Sequence, residues 1–463
     1  MMHKVQHDIS DHKAGSMDIT TDFEASSTCY RTVATDLLKQ LKQRGSDQAE
    51  VLITDEAGYS IEVRDGAVDT LQHEHDVGID ITVYRDGCTA SVSTTSLSSE
   101  ALSVAMDKVM SMVQFTEKDP YLGLADPGVL AYNYPDLDLY HPCELTPTAA
   151  IEQLVACDRT LRGEDQRILP AEGVAMTTYN SYRVYANSHD FLGDYRSSYH
   201  DLVCSAVIRD GDDMETYADS TSACRWVDLQ DPHTLAKTVA AKAASRLGAR
   251  SLPTQTCPVL FSPSMSKSLL RSFLQAISGS AQYRKTSFLS GQLGHIIFPE
   301  WLSMAQAPHA LAKPYSAPFD HDGVRTESRH YVEDGVLSSY VLDAYAARKL
   351  QMAPTGNSGG VFNLSVNSTG QDLAELCRLM GKGLLVTELM GQGTNIVSGN
   401  YSRGAAGFWV EHGEIQFPVS EVTIAGNLAD MFQQLVAVGS DCDYRGRIHT
   451  GSFLVEAMTI AGS

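Results

Sequence analysis

At 463 residues, with 43% hydrophobic and 20% charged side chains, the chain can bury a large core and reads as a globular protein of about two to four domains. Its formal charge of −22 repels phosphate backbones, and no run of Lys and Arg forms a basic patch, so nucleic acid is excluded as a direct partner. No apolar stretch is long enough to span a bilayer and the N-terminus lacks an apolar signal core, so neither a membrane nor a secretory route is expected.

Residues 1–28 are polar and aperiodic and read as a disordered leader; His3, His7 and His12 lie there without spacing that would fix a metal. Residues 29–118 form the expected N-terminal α+β domain. A helix over Tyr30–Arg44 carries the stripe Leu37, Leu38, Leu41 and stops at Gly45. Five alternating runs follow: Ala49–Thr54, Tyr59–Arg64, Val68–His73, Gly78–Tyr84 and Cys88–Thr94. Asp65-Gly66 and Asp86-Gly87 punctuate them as hairpin turns. A second helix starts near Ser98 and carries Leu102, Ala105, Val109 and Val113.

Residues 119–145, rich in Pro, Asp and Tyr, read as a linker. A middle domain over 146–250 opens with a helix at Pro147–Leu161. Strands at Gly173–Tyr179, Tyr182–Ser188 and Ser197–Arg209 come next, then a turn at Asp210-Gly211 and a helix at His233–Leu247. The acidic cluster Asp210, Asp212, Asp213, Glu215 lacks calcium-loop spacing and reads as an exposed turn. The last domain, 251–463, carries a strand at Cys257–Phe261 and helices at Ser264–Ser278, Leu342–Leu350 and Leu428–Val436. Hairpin turns are expected at Asp334-Gly335 and His412-Gly413, and a flexible loop at Gly356–Gly360. Because β and α do not alternate regularly, the fold class is α+β. It combines a helix-flanked antiparallel N-terminal sheet, a β-rich middle domain and a mixed C-terminal domain with a glycine-rich antiparallel core.

Nine scattered cysteines without a Cys-x-x-Cys pair read as reduced, buried thiols of a cytoplasmic protein. Candidate chemistry is sparse. The sequence contains no His-Glu-x-x-His; His73 and His75 share a strand face but are too few for zinc and read as exposed strand residues. The one run with Gly-x-Ser-x-Gly spacing, Gly356–Gly360, reads as a flexible loop rather than a nucleophile elbow, and no histidine is tied by spacing to Ser398 or Ser402. Asp320, His321 and Asp322 read as a loop entering a strand. Gly391-Gln392-Gly393 lacks the context of a dinucleotide fingerprint. With Tyr401, Ser402, Arg403 and Gly404 it is either a set of close strand crossings or the wall of a peptide channel. A channel would use a free sheet edge to receive a substrate strand.

Three stretches, Thr387–Gly393, Tyr401–Trp409 and Pro418–Glu421, resemble the C-terminal signature of the TldD/PmbA family of bacterial peptidases, and the likeness runs from about residue 30 to the end. Within the family the chain resembles the PmbA (TldE) branch. TldD-like members carry His-Glu-x-x-x-His on the helix expected at 264–278. The segment Tyr283–Gly294 sets the register, in which the first His falls on Leu270, the Glu on Arg271 and the second His on Gln275. The family's cysteine ligand, just before a glycine near the C-terminus, falls on Thr450. Leucine cannot ligate, arginine is no base at neutral pH, and glutamine is a poor zinc ligand.

The resemblance implies a subunit without catalytic or metal-binding residues of its own. It would pair with a zinc-bearing TldD-like chain, enclose a chamber and help degrade or process unfolded peptides; zinc is expected on the partner. It also links the family to maturation of modified antibacterial peptides, breakdown of an antitoxin and modulation of DNA gyrase. The alternatives are an autonomous peptidase with unrecognised residues and a non-enzymatic adaptor homodimer; a homodimer of the isolated chain, standing in for the heterodimer, is compatible with either subunit role.

Overall fold

The structure, a computed structural model, describes residues 23–462; the expected leader lies outside them up to residue 22. The first half comprises α1 (Phe23–Gln43), β1 (Gln48–Arg64), β2 (Ala67–Arg85), β3 (Cys88–Thr94), α2 (Ser99–Met112), α3 (Pro147–Glu164), β4 (Ile168–Leu169), β5 (Val174–Asn187), β6 (Phe191–Asp210), β7 (Asp213–Ala223) and α4 (Pro232–Ser245). The expected runs fuse into fewer, longer strands. Two become β1, two become β2, and two become β5. The break in alternation that divided β1 is Asp55, a carboxylate only 1% exposed on the helix side of the sheet. It survives there because the Tyr30 hydroxyl of α1 (2.7 Å) and His75 Nε2 (2.9 Å) both donate to it. His75 is therefore committed to Asp55. Gly58 continues the strand because a Cβ there would lie 2.1 Å from the Thr178 carbonyl oxygen of β5.

All seven strands belong to one antiparallel sheet in the order β3-β2-β1-β5-β6-β4, with β7 also on β6. The β1–β5 pair joins the segments on either side of residues 119–145. One face is apolar: α1 and α2 cover Val51, Ile53, Tyr182 and Val184, and α3 and α4 cover Ile61, Val63, Val174 and Cys204. The other face is apolar at one end, where Tyr185 and Phe191 meet Phe319 and Val324. Further along, that same face is polar.

Residues 119–145 run as a buried strap: Leu124, Ala125, Leu130, Ala131, Leu137 and Leu139 are each at most 6% exposed. Asp119 accepts from Lys349 (2.9 Å) and Tyr345 (2.7 Å), and Arg348 donates to the carbonyls of Tyr121, Gly123 and Leu124. These contacts hold the strap against the C-terminal half.

That half comprises β8 (Gln255–Phe261), α5 (Pro263–Ala276), α6 (Gly279–Tyr283), β9 (Met304–Gln306), β10 (Arg329–Glu333), β11 (Val336–Leu337), α7 (Ala344–Leu350), β12 (Leu364–Val366), α8 (Leu373–Met380), β13 (Gly383–Met390), β14 (Asn400–Glu411), β15 (Glu414–Asn427), α9 (Leu428–Gln433), β16 (Leu435–Val438), β17 (Ile448–His449) and β18 (Phe453–Ala461). A sheet in the order β15-β14-β13-β8-β18-β16 closes on itself through β15–β18 pairing, and a smaller sheet runs β11-β10-β9-β12-β17. One face of the closed sheet (Val259, Phe261, Leu384, Val386) packs with Leu269, Leu270 and Phe273 of α5, and the other (Leu260, Leu385, Val410) packs with Leu376 and Met380 of α8. The architecture is α+β, as expected.

Four expected hairpin turns have both central residues at positive φ: Asp65/Gly66, Asp86/Gly87, Asp334/Gly335 and His412/Gly413. The fifth shifts by one residue. Asp210 pairs with Asp213, so Gly211 (φ 61°) and Asp212 form the loop. The Gly356–Gly360 segment is pinned rather than loose. Asn357 is 3% exposed and receives the Tyr331 hydroxyl (2.9 Å) while donating to Gln306 Oε1 (2.9 Å). Ser358 ties the segment to Asp320 and Asp322, each at 2.8–2.9 Å. Asp320 accepts three backbone N–H bonds, from Asp322, Val324 and Ser358, and so organises the loop. Burial and the adjacent Asp322 push its carboxyl up to about 8, against those donors.

Candidate functional site

Helix α5 decides what chemistry this region supports. Pro263 occupies its first turn, where a missing N–H costs nothing. Its buried stripe, Leu269, Leu270, Phe273 and Ala276, is fixed against the closed sheet. Lys267, Arg271 and Gln275, spaced by four, fall on a neighbouring face and line a cavity of about 560 Å³ with Arg445 and Arg447. The four positions matched to a zinc motif therefore part company. Arg271 and Gln275 meet at the cavity, Leu270 is 0% exposed in the core, and Thr450 is 0% exposed within the neighbouring loop.

That loop, 439–452, is built by carboxylates and close glycines. Asp441 accepts the Ser452 N–H (2.9 Å) and hydroxyl (2.6 Å). Gly451 lies so near the Gly439 carbonyl that a Cβ would sit 2.0 Å from its oxygen. Asp443 then receives Lys267 Nζ (2.8 Å) and Arg445 Nε (2.8 Å). Arg445 reaches on to Asp219 and the Ser220 carbonyl of β7. It thus stands as a pillar between this cavity and a larger one of about 740 Å³, lined among others by Lys242, Ser262, Cys442 and Tyr444. Burial lowers the Lys267 ammonium pKa, partly offset by Asp443. Burial likewise lowers His449, whose Nε2–H donates to the Gly446 carbonyl (3.1 Å), and raises the Cys442 thiol, so neither a cationic imidazole nor a thiolate is favoured here.

A zinc ion needs several converging imidazole, thiolate or carboxylate donors. At the cavity the converging side chains are Lys267, Arg271, Gln275, Arg445 and Arg447, and the nearby carboxylate, Asp443, is already held by two cations. Among the described residues no group of three His, Cys, Asp or Glu side chains is placed to hold a metal. The donor set does not fit zinc.

The glycine-rich stretch is a continuation of the β13–β14 hairpin. Gly391 (φ 72°) leaves β13, and a Cβ on Gly393 would lie 1.5 Å from the Ser402 carbonyl oxygen. Gly391, Gln392, Gly393 and Ser402 are exposed, whereas Tyr401 is 2% exposed in the core. Arg403 donates to Ser268 Oγ (2.8 Å) and braces β14 on α5, and Gly404 faces Met390 across the hairpin. Strand β14 pairs with β15 on one side; on the other it pairs with β13 from Gly404 onward and with residues 393–395 through Asn400–Ser402, so it offers no free edge over this stretch. The glycines therefore serve close strand crossings rather than strand addition at β14. No histidine ring is hydrogen-bonded to a serine or cysteine side chain among the described residues. Eight of nine cysteines are buried or half-buried and all nine are unpaired. Lys267, Asp443, Arg445 and Arg447 escaped the sequence reading. The charge pattern Asp443-Tyr444-Arg445-Gly446-Arg447 was the one available signal.

Comparison with known proteins places this geometry. Family models for the PmbA/TldA metallopeptidase match in three parts: domain 1 over residues 49–113, the central domain over 140–247 and the C-terminal domain over 254–462. The chain is similar to the metalloprotease PmbA of Escherichia coli O157:H7, 39% identical over 447 residues and covering 96% of this chain and 99% of that one. A PmbA homologue from Haemophilus influenzae is also 39% identical, over 92% of this chain and 94% of that one, whereas the TldD homologue of the same organism is 21% identical over 64% and 65%. A solved structure from Bacteroides thetaiotaomicron matches with TM-score 0.88 at 27% identity, covering 94% of this chain and 99% of that one. TldE from Thermococcus kodakarensis matches in fold with TM-score 0.82 at 21% identity, over 93% and 100%. Three family models in sequence order and near full-length identity of 39% settle the assignment: this chain belongs to the PmbA/TldD metallopeptidase family.

Proposed function

We propose that this chain is the TldE-like, non-zinc-binding subunit of a two-chain cytoplasmic metallopeptidase that degrades or processes unfolded peptides. The zinc-bearing partner would supply the hydrolytic chemistry, and this chain would shape the chamber and the substrate path. The observation that carries the reading is the cavity face of α5. Where a metal-binding helix would present ligands, it presents Lys267, Arg271 and Gln275, backed by Arg445 and Arg447. A divalent cation is repelled there, while Leu270 gives the same helix a purely structural role in the core. The greater likeness to PmbA relatives than to a TldD relative supports the same branch. Co-purification with a TldD-like chain that carries an intact His-Glu-x-x-x-His, followed by cleavage of an unfolded peptide, tests it. A stable complex that cleaves only when both chains are present is expected. Full activity of either chain alone would overturn the division of labour.

A further inference from the structure

A third cavity, of about 460 Å³, lies on the polar half of the large sheet. Its floor is three cross-strand rows read directly from the register: Thr54–Arg183–Tyr195, Glu56–Ser181–Ser197 and Gly58–Tyr179–Tyr199. Alternation puts all these side chains on the face away from α1–α4. The roof comes from the segment Lys313–Ala317, His321 and Arg447.

Three cations surround this space without a carboxylate partner. Among the described residues the Arg183 and Lys313 side chains make no ion pair or hydrogen bond, and the Arg447 side chain donates only to the carbonyls of Gly359 (3.0 Å) and Val361 (3.4 Å) while its guanidinium lies over the Tyr315 ring. Glu56 is the one carboxylate on the lining, and the Ser181 hydroxyl donates to it (3.2 Å). Arg183, Arg447 and His321 all line this cavity; desolvation by the surrounding protein, with the two arginine charges adding to it, depresses the His321 imidazole to about 4. His321 is thus neutral near pH 7 and free to share a hydrogen bond. Uncompensated cations gathered inside a chain of charge −22 are poised for an anion. A planar guanidinium beside tyrosine and serine hydroxyls matches a carboxylate in two-point geometry. The Tyr179–Tyr199 ring pair, centroids 5.3 Å apart, offers an apolar shelf next to it.

We propose that this cavity is a subsite for a peptide carboxylate, held by Arg183, Lys313 and Arg447; the choice of a peptide rests on the function proposed above. The test is fluorescence anisotropy on the full chain alone. The probes are a dye-labelled pentapeptide of alanine and phenylalanine with a free C-terminal carboxylate, the same peptide as its C-terminal amide, and an amide with one internal glutamate. The free acid should bind at least about tenfold more tightly than the plain amide. Arg183→Gln and Lys313→Gln should each erase most of that preference while leaving the melting temperature and the weak amide binding unchanged. The exposed Lys313 provides a variant that does not touch the sheet. A glutamate amide binding as well as the free acid would support the subsite and assign it to acidic side chains. Equal binding of acid and plain amide, retention of the preference in both variants, or displacement of the acid by an equal concentration of inorganic phosphate would overturn it. The readout needs no partner, so failure to assemble with a zinc-bearing chain would sink the proposed function and leave this result standing.

Discussion

Asp443→Asn should weaken the C-terminal half more than any exposed charge change. In the native protein Lys267, buried on α5, has Asp443 at 2.8 Å, with the two side chains 7% and 10% exposed. Removing the carboxylate charge leaves the lysine beside Arg271 and Arg445 with only neutral acceptors, the Arg445 carbonyl and the new amide oxygen. Breaking one partner of a buried ion pair costs about 3–5 kcal/mol. The lower end applies, because Arg445 keeps Asp219 and the Ser220 carbonyl. With a urea slope of about 2–3 kcal/mol/M, a loss of about 3 kcal/mol moves the midpoint down by about 1–1.5 M. Trp409, 5% exposed in the same core, is the fluorescent reporter. The pair Lys267→Met with Asp443→Asn should recover most of the loss, since the stranded charge is gone. The sign with pH follows from the same burial. The folded lysine pKa is lowered, so the native state binds fewer protons than the unfolded chain between that value and about 10.4, and stability rises with pH through this window. In the Asn variant the window should extend to lower pH. A midpoint shift below about 0.3 M would refute the claim that this pair is desolvated and coupled.

Other perturbations separate structural from accessible positions. Leu270→Ala should cost about 2–5 kcal/mol in urea unfolding because it empties a fully buried site, while Arg271→Ala, one residue on, should leave the midpoint in place. Gly407→Ala should destabilise by about 1–3 kcal/mol or more, since its Cβ would lie 1.9 Å from the Leu385 carbonyl oxygen and backbone cannot rotate away; an unchanged midpoint would contradict the close crossing of β13 and β14. The His321 imidazole, followed by NMR, should titrate near 4 rather than the usual 6.5, and Arg183→Gln should raise it; a normal wild-type value would contradict its desolvation in the cavity, and no rise in the variant would mean that Arg183 does not face it.

Local chemistry was legible in the sequence where it suffices by itself. Asp-Gly and His-Gly between alternating runs gave four turns with both residues at positive φ, and the apolar stripe of α5 followed from spacing alone. Legibility ended where burial depends on distant partners. Asp55 reads as a strand break until Tyr30 and His75 are seen to satisfy it, so β1 looked like two strands. The strap at 119–145 looks like a linker in composition, yet Arg348, more than two hundred residues later, occupies its carbonyls. The glycines from 391 to 407 fit two readings equally in the sequence, and only the fold shows the close approaches of Gly393 to Ser402 and of Gly407 to Leu385. The cavities could not be foreseen, because Arg183, Lys313 and Arg447 meet only through the register of β5 and the packing of two remote loops.

Zinc content of the purified chain, measured together with peptide hydrolysis with and without a TldD-like partner, addresses the central proposal most directly. The account predicts no tightly bound zinc in this chain and cleavage that appears only when the partner is added. A stoichiometric zinc ion in this chain alone, with hydrolysis lost on chelation and restored by zinc, would contradict it.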